Sequence, residues 1–67
     1  MSVLKVIEVL ANSPSSFDDA AQQAVTEAAK SVKNIKSVYV NELNARVENN
    51  QIVEYRINAK ISFEVNS

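Results

Sequence analysis

Histidine and cysteine are absent from this 67-residue sequence, so its reactive side chains are carboxylates, lysines, arginines and two tyrosines. That removes the commonest general base and the two best nucleophilic arrangements. Zinc sites built from Cys and His go with them. Glycine is absent too, which excludes phosphate-cradling loops. Catalysis would have to rest on carboxylates or lysine alone, so the chain reads as a binding protein and not as an enzyme.

Hard-cation and ion-pair chemistry remains. Asp18 and Asp19 are neighbours, and with carbonyls of the preceding loop they could hold Ca²⁺ or Mg²⁺, ions that take several oxygen ligands. The same pair fits an ordinary role at a helix start, capping and complementing the dipole. Glu8 and Glu64 stand alone, and with Lys60 they would line a pore only if symmetry gathered copies around an axis. Tyr39 offers a ring for stacking or for a subunit contact. Arg56 could clamp a phosphate or carboxylate, or simply pair with Glu42 or Glu54. Arg46 has solvent or a neighbouring copy as its ordinary surroundings.

The elements that must position these groups are readable from periodicity. Residues 3 to 10 are rich in β-branched types and read as a strand apolar on both faces, with Val3, Ile7 and Val9 against Leu4, Val6 and Leu10. A turn cluster from Ala11 to Ser16 ends in good N-cap residues, Ser15 or Ser16. Phe17, Ala20, Ala21, Ala24, Val25, Ala28, Ala29 and Val32 then recur at helical spacing, predicting an amphipathic helix of about 17 residues. Residues 53 to 65 alternate without a break, apolar at odd positions and polar at even ones, as a strand with one buried face does. In the strand over 36 to 48, Val38 and Val40 are even but Leu43, Ala45 and Val47 are odd. A β-bulge near Asn41 and Glu42 restores the phase. Asn49 and Asn50 supply the hairpin turn, since Asn tolerates positive φ.

The order is therefore β-α-β-β, an α+β domain over 1–67 whose three-stranded antiparallel sheet has strand order 1-3-2 and packs on one helix. Strands of that length span roughly 40 Å, whereas the helix spans ~25 Å. One helix cannot cover the sheet, and a chain this short has a marginal core. With no cysteine for disulfides, self-association is the expected remedy. The net charge of −1 argues against a nucleic-acid partner. No apolar run is long enough to span a membrane and no signal peptide is visible, which makes a cytoplasmic location the default.

Taken together, the strand order, Lys-Val-Ile-Glu-Val at 5 to 9, Ser13-Pro14, the Ala-rich helix, Glu54-Tyr55 and Ile61-Ser62-Phe63 resemble the dodecin family across essentially the whole chain. The resemblance implies a hollow homododecamer with helices outside and sheets inside. It further implies storage of FMN, FAD or riboflavin, with rings stacked between tryptophans of neighbouring subunits. Here the stacking Trp falls on Ser37, the Gln at the ring edge on Arg56, and a basic residue near the ligand on Asn44. A serine hydroxyl gives no flat π surface, so the usual flavin stack is not expected. The chain looks closer to members that lack the Trp and carry Tyr-Arg-Ile, here Tyr55-Arg56-Ile57, a subgroup that includes a calcium dodecin. Ser37, Tyr39, Asn44, Arg46 and Arg56 are the candidate ligand-binding residues, and Asp18, Asp19, Glu8 and Glu64 the candidate ion ligands. The expected function is storage or binding of a small molecule or of an ion such as calcium. The alternative is a structural or partner-binding oligomer with no small ligand.

Overall fold

The computed structural model describes residues 3–65. They form β1 (Val3–Ser13), α1 (Phe17–Ala28), β2 (Ile35–Glu48) and β3 (Gln51–Val65). The sheet order is β1-β3-β2, and both pairings are antiparallel. This is the architecture expected from the sequence. The helix crossover carries the chain from β1 to the far edge, and the hairpin then returns β3 into the slot between them.

Residues directly opposite in an antiparallel pair share a face. Ile7, Val9 and Ala11 lie opposite Ile61, Ala59 and Ile57, and Val38 and Val40 lie opposite Ile61 and Ala59. That face carries α1, which packs chiefly on β1 and β3 and least on β2. The core is small: Ala20, Ala24 and Ala28 of the helix against Ile57, Ala59 and Ile61 of the central strand. An alanine stripe lets the helix sit close to the sheet. Phe17 closes one end of the core, its ring edge-on to Tyr55 at 5.0 Å.

Ser16 is the N-cap, with its Oγ accepting from the Asp19 amide at 2.9 Å. Asp19 does not reach back to the cap as in a simple capping box. Instead Ser13 Oγ donates to Asp19 Oδ2 at 2.6 Å and accepts from the amides of Ser15 and Ser16. Ser13 is only 1% exposed, and it ties the end of β1 to the start of α1. Accordingly β1 continues through Ala11 and Asn12, which pair with Ile57 and Arg56, where the sequence suggested a turn.

The helix is shorter than its apolar pattern predicts. It ends at Ala28 because the amides of Lys30 and Ser31 bond to carbonyls three residues back, which tightens the turn. Asn34, at φ 62°, then redirects the chain. Val32 keeps the helical phase and still packs on the core from outside the helix. A 12-residue helix spans ~18 Å, against a long dimension of 51 Å for the molecule.

The bulge expected near Asn41 is present as a register shift between Val40 and Glu42, and two further shifts fall between Ile35 and Ser37 and between Arg46 and Val47. The hairpin turns on Asn49 and Asn50 at φ 52° and 63°, so in a chain without glycine the positive-φ positions are all asparagines among the described residues.

Candidate functional site

The face of the sheet away from α1 gathers every candidate ligand residue. From one end to the other, its cross-strand rows are Leu4 and Glu64; Val6, Ser62 and Ser37; Glu8, Lys60 and Tyr39; Leu10, Asn58 and Glu42; Asn12, Arg56 and Asn44; then Glu54 and Arg46. The even-numbered side chains of β3 form a polar spine. They are flanked on β1 by Leu4, Val6 and Leu10, all more than half exposed.

The hydroxyls of Ser37 and Ser62 meet at 2.5 Å. Tyr39 is 64% exposed and stands opposite Lys60. Arg56 Nε donates to Glu54 Oε1 at 2.8 Å, and Arg46 Nε lies 3.6 Å from the same oxygen. Arg46 also pairs with Glu48, so its surroundings within one chain are two carboxylates and not solvent alone. The hydrogen bond from Arg56, with the charges of both arginines, holds the Glu54 carboxyl below the usual carboxylate range. The bond to Glu48 raises the Arg46 guanidinium in turn.

A depression of about 380 Å³ opens on this face, lined by Leu10, Ala11, Asn12, Glu42, Asn44, Arg56, Ile57 and Asn58. Two of the candidates, Asn44 and Arg56, belong to it. Ser37 and Tyr39 lie further along the same face, nearer the start of β1. A larger hollow of about 480 Å³ lies between β1 and α1, and it contains none of the candidates.

The four candidate ion ligands do not meet within one chain. Asp18 and Asp19 sit in the first turn of α1, where Asp19 is engaged by Ser13. Glu8 and Glu64 lie on the opposite face, against Lys60 and Leu4. Among the described residues no three acidic side chains cluster so as to hold a metal. Likewise no helix among them is long and apolar enough to cross a membrane.

Asn12, Asn58, Glu42 and Leu10 were not singled out as site residues from sequence. Parity on β3 places Asn58 on the same face as Arg56. Only the register, with its bulge at Asn41, shows that Glu42 and Leu10 flank it.

Comparison with known proteins agrees with this architecture. The family model described as Dodecin matches residues 3–66. The chain is 38% identical over 65 residues to the calcium dodecin of Mycobacterium tuberculosis, covering 97% of this chain and 92% of that protein. A crystal structure of a calcium-chelating immunodominant antigen from that organism, calcium dodecin, superposes with a TM-score of 0.81 at 37% identity, over 97% and 93% of the two chains. A Thermus thermophilus dodecin variant superposes at 0.92 with 21% identity over the full length of both, and the Streptomyces coelicolor dodecin at 0.90 with 24% over 98% and 94%. At those identities the last two speak for the fold. The chain belongs to the dodecin family.

Proposed function

We propose that this protein is the protomer of a closed homo-oligomer, a dodecamer in the family manner, that binds a small ligand or ion and performs no catalysis. One observation carries the reading: the helix-free face holds Ser37, Tyr39, Asn44, Arg46 and Arg56 together with exposed Leu4, Val6 and Leu10. Polar groups on a wall rimmed by unshielded apolar side chains suit a surface that other copies complete and enclose. Burying those three side chains would contribute roughly 1 kcal/mol each, given their present exposure.

Ordinary flavin stacking is disfavoured in this reading, because the resemblance aligns the stacking ring with Ser37, whose hydroxyl meets that of Ser62 and offers no π surface. Kinship at 38% identity to a protein named calcium dodecin supports an ion as one ligand. Its carboxylates would then come from more than one copy, since Asp18, Asp19, Glu8 and Glu64 are dispersed within one. Native mass spectrometry tests both halves of the reading, reporting copy number and retained small molecules in one spectrum. Titrations with Ca²⁺, riboflavin and FMN, followed by melting temperature and flavin fluorescence, then sort the ligands. A well-folded monomer at micromolar concentration would refute the assembly. An oligomer indifferent to every ligand would favour a purely structural particle.

A further inference from the structure

The depression beside Arg56 holds both signs of charge and three amides, Asn12, Asn44 and Asn58, and no aromatic ring. Arg56 spends its Nε on Glu54, which steadies the guanidinium and leaves its terminal N–H groups as donors. Glu42 makes no ion pair among the described residues. In the register Glu42 stands opposite Asn58, and Arg56 opposite Asn44. Glu42 and Arg56 are thus diagonal neighbours, with ~7 Å between their origins on the two strands. Between them Asn58 Oδ1 is buried without a hydrogen-bond partner. The terminal amide torsion is soft, so a small rotation would turn that acceptor towards an arriving donor.

We propose, on the footing of the ligand-binding reading above, that this depression takes a small dipolar molecule of the amino-acid class. Its ammonium is received by Glu42 and Asn58 Oδ1, and its carboxylate by the outer N–H groups of Arg56. Leu10, 80% exposed at the rim, offers an apolar contact to the rest of the molecule. The alternatives fit less well. A divalent cation wants several anionic oxygens and would find one carboxylate beside a guanidinium. A flavin would find no ring to stack on. A simple anion would face Glu42 unpaired, at a cost in repulsion and desolvation.

Calorimetry on the assembled wild-type protein tests this with leucine and glutamine, their N-acetyl forms and their methyl esters. At least one free amino acid should bind saturably, and blocking either end should weaken it tenfold or more. That comparison needs no variant. In Glu42→Gln the penalty for N-acetylation should vanish, and in Arg56→Gln the penalty for esterification, with melting curves confirming the fold. Equal binding of free and blocked forms would overturn the dipolar assignment, as would unchanged preferences in both variants. Binding of Ca²⁺, riboflavin or FMN but of neither amino acid would overturn it while leaving the ligand-binding reading in place. Indifference to all of these compounds would remove both.

Discussion

The two faces of the sheet use similar side chains to opposite ends. On the helix side, Ile57, Ala59 and Ile61 are buried against Ala20, Ala24 and Ala28, and this contact holds the chain together. On the other side, Leu4, Val6 and Leu10 are equally apolar yet stand in the open beside Glu8, Lys60 and Arg56. Composition does not separate the faces; the presence of a helix does. An apolar residue that the helix covers specifies the fold, whereas one that it leaves bare, including Leu43 opposite Ile57 at 60% exposed, has nothing to do in a single copy and specifies association.

A single carboxylate placed on each face puts that distinction to the sharpest test. Ile61→Asp would bury an unpaired charge at a fully enclosed position, a cost of about 3–5 kcal/mol. That is a large share of the ~5–15 kcal/mol total typical of a domain, so circular dichroism should show a large fall in melting temperature. Leu10→Asp changes the isolated fold by less than about 0.5 kcal/mol, as exposed substitutions do. Sedimentation should nonetheless find smaller particles than wild type, still folded. Full-size particles from Leu10→Asp would mean that the open face is no interface.

Next in size comes the junction that sets where the covered face ends. Ser13 satisfies two amides of the loop and one carboxylate oxygen. Ser13→Ala leaves those groups without partners in a half-buried place and should cost ~1–3 kcal/mol, lowering the melting temperature by several degrees. Ser16→Ala removes the cap alone and should cost about 1 kcal/mol. If Ser13→Ala proved the milder of the two, the relay through Asp19 would be incidental to the fold.

Much of this architecture is legible because each element follows a simple period, and a break in that period marks an irregularity. The bulge at Asn41 shows as a parity switch from Val38 and Val40 to Leu43 and Ala45. The same signal is present between Ile35 and Val38, but it is visible only if Ile35 is taken into β2. The third shift leaves no trace, since the extra residue falls near Val53 in β3, whose alternation stays unbroken. The helix end is hidden for a different reason: Val32 keeps its apolar phase, and even a four-residue bond to Ala28, after the amides of Lys30 and Ser31 have tightened to three-residue bonds. For the site, parity assigns Arg56 and Asn58 to one face, but composition cannot say that Asn44, Glu42 and Leu10 border them. That knowledge needs register, which is a property of pairs of strands.

The smallest expected effect concerns Glu54, which among the described residues draws two arginines on the open face, Arg56 by a hydrogen bond and Arg46 more distantly. Its carboxyl titrates below the ordinary range chiefly because of the Arg56 bond. A depressed carboxylate adds stability that is fully present above the unfolded-state value and is lost as pH falls through the folded one. The side chain is partly exposed and screened by solvent, so its share is small and should shrink further in salt. Glu54→Gln should therefore flatten the acid limb of the melting temperature against pH and leave the neutral plateau nearly unchanged. Because Glu54 also steadies Arg56, the same substitution should free that guanidinium without moving any core residue, so assembly should survive while the depression loses its order. An acid limb identical to wild type would place the weight of acid sensitivity on other carboxylates, and would separate the electrostatics of the open face from the stability of the covered one.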